Sequence, residues 1–257
     1  MLLRRDGDAV IAIGQPAHAW LSGQLARAWG NERFGAVEPW EEVCLGAEQH
    51  DVGMAEWELR PTLNPQTGLP HSFMELELGV HLGIWSTAAL RVLPQSRYAA
   101  VLVCGHGIAL FERRDRARME PAAADRVREF LAAQHAFRSG LLATLRADPL
   151  TAAAAGDAVV RRNQRLVWTW DSLSLGLLLD WWPYRLEAVP AAGAAVDVDV
   201  RAGAAGAIAL DPWPFAAARV TVRCEGRRLV GRFDDEAAMR AALANAPWVT
   251  LDVELAA

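Results

Sequence analysis

Six histidines punctuate the 257-residue chain: His18, His50, His71, His81, His106 and His135. His50 stands beside Asp51 in "AEQHDVGMAEWE", where an apolar helical pattern stops. An imidazole next to a carboxylate is either an ordinary polar helix end or part of a divalent-metal site. Asp171 raises the same question. In "VWTWDSLSLGLLL" it lies on a helical pattern among Trp, Val and Leu. A carboxylate there is costly unless it faces solvent, pairs with an arginine such as Arg165, or binds a metal. His106 is flanked by Gly105 and Gly107 in "LVCGHGIAL". Glycine weakens a helix, so this pair fits either a core histidine or the close approach of another group. His81, in "ELGVHLGIW", carries the same two readings. His71, in a loop, and His135, in "AAQHAFRSG", read as surface residues.

The elements that must position these residues are legible from periodicity. Residues 8–13, "DAVIAI", read as a strand. "QPAHAWLSGQLARAWG" follows with helical spacing and stops at Gly30-Asn31. "PWEEVCLGAEQHD" opens on Pro39 and two acids, a good helix start. Residues 59–72 hold three prolines and a glycine, a loop long enough to belong to a site. Helical patterns return at about 74–92, 96–113, 121–147 and 156–181, punctuated by Pro94, Pro121 and Pro149. After Pro183 the texture becomes short β-like runs, "YRLEAV", "AVDVDV", "RVTVRCEG" and "WVTLDVEL", interrupted by the helical "DDEAAMRAALANA". The expectation is a mainly α, helical bundle over 15–182. A smaller β-rich region, 183–257, has residues 1–14 packed or paired on it.

Composition sets further bounds. A 53% hydrophobic and 22% charged chain is globular. Its formal net charge of −5 gives no overall case for nucleic acid. All basic residues are arginine, so lysine chemistry is excluded. Cys44, Cys104 and Cys224 form no CxxC pair and read as reduced intracellular thiols. "MLLRRDGDAVIAIG" has acidic residues where a signal peptide needs an apolar core. "LSLGLLLDWW" is too short for a membrane span. A cytoplasmic protein without membrane or specific nucleic-acid partners is expected; a homo-oligomer is compatible with the sequence.

The order of residue types, His18, then His50-Asp51, then Asp171, resembles the H…HD…D pattern of the HD-domain superfamily of metal-dependent phosphohydrolases. In that superfamily two histidines between HD and the last Asp often hold a second metal, and His81 and His106 occupy that interval. More narrowly, "IAIGQPAHAWLSGQLARAWGN", "AEQHDVGMAEWE" and "TGLPHSF" resemble a bacterial HD-like family catalogued as a domain of unknown function. Met54 stands where better-known members carry Lys. The resemblance implies His18, His50, Asp51 and Asp171 as metal ligands, joined by His106 and His81, for one or two divalent ions. Two imidazoles and two carboxylates suit Mn, Fe, Co, Ni or Zn, with Mg also a candidate.

Such a site implies hydrolysis of a small phosphoester, a nucleotide among the candidates, by metal-activated water. Asp51 or Glu58 would serve as general base or acid. Positive charge for the phosphoryl group would come from Arg60, Arg97 or Arg165. Two other classes remain: an HD-like diiron oxygenase, and a non-catalytic helical protein that binds a ligand or regulates a partner.

Overall fold

A computed structural model describes residues 1–257. The chain opens with β1 (Leu2–Asp6) and β2 (Ala9–Ile13), a hairpin whose turn places Gly7 at φ +60°. The left-handed backbone at Gly7 suits a residue without a Cβ. Seven helices follow, interrupted by a small hairpin: α1 (Gln15–Ala28), α2 (Trp40–Glu48), α3 (Met54–Glu58), β3 (Leu63–Asn64), β4 (Leu69–Pro70), α4 (Leu78–Val92), α5 (Arg97–Glu112), α6 (Pro121–Ala147) and α7 (Asp157–Leu178). The last part holds β5 (Tyr184–Val189), β6 (Val196–Ala202), β7 (Ile208–Asp211), β8 (Arg219–Val230), α8 (Glu236–Asn245) and β9 (Trp248–Ala256).

The mainly α, HD-like bundle with a subsidiary β layer is not what forms. Both chain ends contribute to one seven-stranded sheet in the order β1-β2-β8-β9-β7-β6-β5. All its pairings are antiparallel except β7 with β9. The N-terminal hairpin is integral to it, because β2 pairs with β8 from Ala9↔Val230 to Ala12↔Arg227. The strands come from both ends of the chain, and their pairing builds the dominant sheet.

The sheet curls into a half-barrel around the C-terminal half of α7, and both of its edges reach that helix. From β1, Arg4 donates to the carbonyls of Leu177 (3.4 Å) and Leu178 (3.2 Å) and pairs with Asp180 at 2.8 Å. From β5, the Tyr184 hydroxyl donates to the carbonyls of Ser172 (3.3 Å) and Leu173 (3.4 Å). One apolar core joins this concave sheet to α1 and α7 through residues such as Ile13, Leu21, Trp170, Leu173 and Val222. A second joins α4, α5 and α6 through Trp85, Val103, Phe111 and Phe130. His18, His50, Asp51, His106 and Asp171 come together where α1, α5 and α7 meet. No helix is long and apolar enough to cross a membrane.

Candidate metal centre

Four separate elements deliver one side chain, or one pair, to this junction. α1 starts directly after β2, with Pro16 in its first turn, and carries His18 inward. α2 ends at Glu48, and the following turn presents His50 and Asp51 before α3 begins. Gly53 sets how deeply that turn sits: a Cβ there would lie 2.9 Å from the Ala88 Cβ and 3.0 Å from the Ile84 carbonyl oxygen. Any side chain would push the turn off α4. His106 is central in α5. Its flanking glycines face opposite neighbours, Gly107 against the Trp85 ring of α4 and Gly105 against Gln164 of α7. They let α5 lie tightly between two helices. Asp171 comes from α7.

The side chains converge closely. His18 Nε2 is 3.1 Å from Asp171 Oδ1 and 3.4 Å from Asp51 Oδ2. His50 Nε2 is 3.4 Å and 3.6 Å from the same two oxygens. The two Nε2 atoms are 3.2 Å apart. Both imidazoles are fully buried, and the two carboxylates nearly so. Ligand atoms about 2.0–2.2 Å from one ion are separated by roughly 2.8–3.6 Å for right-angled to tetrahedral arrangements. The observed separations fall in that range. His106 Nε2 is farther out, 3.9 Å from Asp171 Oδ2. It forms a second possible ligand group with His50 and Asp171, which overlaps the group of His18, His50 and Asp51.

Hydrogen bonds on the far ring nitrogens orient the near ones. His50 Nδ1 donates to the Ala47 carbonyl at 2.7 Å, which leaves Nε2 as the lone-pair atom of the neutral ring. Ser174 Oγ lies 2.7 Å from His18 Nδ1 and 2.9 Å from the Asp171 carbonyl, to which it donates. With its one proton so placed, Ser174 accepts from His18 Nδ1–H. Two imidazole lone pairs then face each other beside two carboxylates. Such an arrangement calls for a cation or a bridging proton between them, so the donor set fits a divalent ion.

Without an ion, protons take that role. Burial by itself would lower the His18 pKa, but hydrogen bonds and charge from Asp171 and Asp51 outweigh it and raise the pKa to about 9. For His50, burial is likewise outweighed by Asp51 and Asp171, and its pKa is raised. Both carboxylates are held below their ordinary range, against burial, by the facing histidines. His106 differs. Burial, and then the charge of His50, lowers its pKa to about 4, so it is neutral at pH 7.

Replacing Ser174 with Ala is expected to free the His18 ring to rotate and change tautomer. Metal affinity should fall by about 10- to 100-fold, the usual effect of losing a ligand's orienting partner. Equilibrium titration of metal into the chelator-stripped variant measures this; affinity equal to the parent's would show that Ser174 does not orient the ring.

The cluster opens onto a cavity of about 160 Å³ lined by Asp51, Asp171, His81, His106, Trp85 and Arg114 among others. Phe73, Met74 and Leu76, just past the proline-rich loop, close part of its wall. His81 reaches this cavity but not the ligand cluster, and its Nδ1 accepts a 2.8 Å hydrogen bond from Arg114 Nη2.

A family model matches residues 1–230. The chain belongs to the DUF3891 family. Its description is "protein of unknown function". No curated protein and no solved structure matches the chain. The part of this DUF3891 member covered by the model contains every residue of the cluster. It stops at the end of β8, before α8 and the central strand β9.

The remaining sequence-derived candidates lie elsewhere. Glu58 is half-buried, but both its oxygens accept from the Gln15 backbone N–H (2.9 and 3.0 Å) and one pairs with the Met1 amino group at 2.6 Å. It anchors the start of α1, one turn before His18, instead of facing the cavity. Arg60 is exposed. Arg97 pairs with Asp148 at 3.1 Å near the start of α5. Arg165 donates to the backbone carbonyls of Glu187 and Ala188. His71 bonds Thr62 at 2.9 Å and His135 pairs with Glu112 at 3.1 Å, both away from the cluster. Arg114 and Gln15, which do line the cavity, carried no distinguishing sequence signal. Arg114 is one of several arginines in "FERRDRAR", though it falls eight residues, about two helical turns, after His106.

Proposed function

We propose that the protein is a divalent-metal-dependent hydrolase of small phosphoesters, acting in the cytoplasm. The carrying observation is the convergence of His18, His50, Asp51 and Asp171 at ligand-to-ligand spacing beside a small polar cavity. The order of these residues also resembles the H…HD…D pattern of metal-dependent phosphohydrolases. Three buried, unpaired cysteines are in keeping with a reducing compartment.

When bound, a divalent ion brings the pKa of a coordinated water toward neutrality and polarises a phosphoryl oxygen. The chain's own residues do the rest. His18, His50, Asp51 and Asp171 would hold the ion. Ser174 and the Ala47 carbonyl keep both imidazoles aimed inward. Phe73, Met74 and Leu76 exclude bulk water from one side of the cavity. His106 is neutral, with Nε2 3.9 Å from Asp171 Oδ2, and would add a further ligand on that side of the cluster.

A second reading rests on one observation. The overlapping group of His50, His106 and Asp171 offers room for a second ion, as a diiron oxygenase needs. Elemental analysis of the purified protein separates the two. Turnover of a phosphomonoester, phosphodiester and nucleotide panel with added Mn, Co, Ni or Mg supports the hydrolase. Two irons with oxygen consumption support the oxygenase. A folded protein that holds no metal and turns over no phosphoester would overturn the proposal and favour a binding role.

A further inference from the structure

Arg114 is the only arginine lining the cavity beside the cluster. No carboxylate lies within ion-pair distance of it; its partners are His81 Nδ1, 2.8 Å away, and the Phe111 ring, 4.9 Å from its Cζ. Burial, and then the Arg114 charge, lowers the His81 pKa to about 4. The imidazole is therefore a neutral acceptor that orients the guanidinium without cancelling its charge. Half-buried Arg114 thus sits between cavity and solvent with an unmatched positive charge. Once a divalent ion offsets Asp51 and Asp171, that charge is what remains to attract a ligand.

Gln15 and Trp85, each only 3% exposed, line the cavity beside Arg114 and His81. Size narrows the class. The cavity is about 160 Å³, whereas sites for drug-sized molecules start near ~300 Å³.

From this geometry we infer that the cavity takes a small phosphomonoester, with its phosphoryl group between the Asp51–Asp171 cluster and the Arg114 guanidinium. The inference rests on the metal-hydrolase reading and narrows its substrate. A monoester dianion matches the positive charge and leaves one small alcohol substituent to fit. A diester carries only one negative charge to match the metal and Arg114, and a nucleoside is larger than the cavity of about 160 Å³. In the reaction, the water oxygen bonds to phosphorus and the phosphorus–oxygen bond to the alcohol breaks. The two water protons end on the released alcohol and on inorganic phosphate or solvent.

The test is isothermal titration with inorganic phosphate of the parent, Arg114→Gln and Arg114→Lys, each metal-stripped and Mn-loaded, with metal content measured in every sample. Arg114→Gln is expected to keep the parent's metal content and to bind phosphate at least about tenfold more weakly, the scale of a lost charge-assisted hydrogen bond. Arg114→Lys, which keeps the charge but not the fork, should fall between. Glycerol phosphate should compete with phosphate, and AMP at the same concentration should not. Parent-like phosphate affinity in Arg114→Gln at parent metal content would overturn the anchoring role, and AMP binding as tight as phosphate would overturn the size limit. A parent that takes up no Mn overturns the hydrolase reading; the phosphate comparison on metal-free protein then decides the role of Arg114 by itself.

Discussion

Asp171→Asn is expected to strip the protein of its metal while leaving it folded. The Asp171 carboxylate is 3.1 Å from His18 Nε2, 3.4 Å from His50 Nε2 and 3.9 Å from His106 Nε2, so it touches both overlapping ligand groups. Asparagine keeps the shape of the side chain and one hydrogen-bonding oxygen but removes the charge that a divalent ion needs. Losing a partner that merely orients a ligand lowers metal affinity by about 10- to 100-fold, so losing this carboxylate should exceed 100-fold. Phosphoester turnover should disappear with the metal. The measurement is metal stoichiometry after purification in Mn-containing buffer, with circular dichroism to show that the helices remain. Parent-like metal content in the folded variant would exclude Asp171 as a ligand. His50→Ala should behave the same way, whereas His71→Ala, at a loop position away from the cluster, should match the parent.

The second large effect concerns metal-free protein, which should lose stability on both sides of neutrality. The raised pKa of His18, about 9 against an ordinary 6.5, means that its proton stabilises the folded state. That contribution is complete below the ordinary value and vanishes as pH rises through about 9. At about 1.4 kcal/mol per pKa unit, it is on the order of 3 kcal/mol. Since a domain of this size shifts by roughly 2–4 °C per kcal/mol, the melting temperature should fall by about 10 °C between pH 6.5 and 9.5. The opposite limb comes from Asp51 and Asp171. Their pKa values are depressed, so their contribution is present above the ordinary carboxylate range and is lost as pH falls below it. Metal ligation requires neutral imidazoles, so loaded protein should keep its melting temperature through the alkaline window. Melting curves with chelator and with Mn across this range provide the check. His18→Gln should flatten the alkaline limb; a stripped parent that melts at the same temperature at both pH values would contradict the assignment.

Much of the His/Asp cluster was legible in the sequence. Asp171 stood out because a carboxylate amid Trp and Leu needs a partner, and His106 because helix-interior glycines on both sides of it need a reason. Both signals are local: they report the cost of an unusual residue in a helical pattern. The helices were legible for the same reason, since periodicity and proline placement act within a few turns. The α4, α5, α6 and α7 boundaries lie within a few residues of the expected ones.

The sheet was not legible in that way. The expected strand at 8–13 was only the second half of a hairpin. That residues 1–14 would pack or pair on the C-terminal β-rich region was expected from the closeness of chain ends, but nothing local announced that β2 would take β8 as its partner, more than 200 residues away, or that β9 would lie at the centre of the sheet. Strand pairing depends on edges that meet only after the chain has folded. The arginines show the same limit. Arg60, Arg97, Arg114 and Arg165 are alike in sequence, and which one faces a cavity depends on the neighbouring elements and on which carboxylates or carbonyls engage the others. Glu58 lies close to the His-Asp pair in the chain, yet the α1 N-terminus claims its oxygens. The sequence by itself determined the residue types, order and helical setting of the cluster, because those are written in short-range pattern and in the energetic cost of burying charge. Only the tertiary structure decided the curled sheet, the cavity and its arginine, because each is made by surfaces that separate parts of the chain bring together.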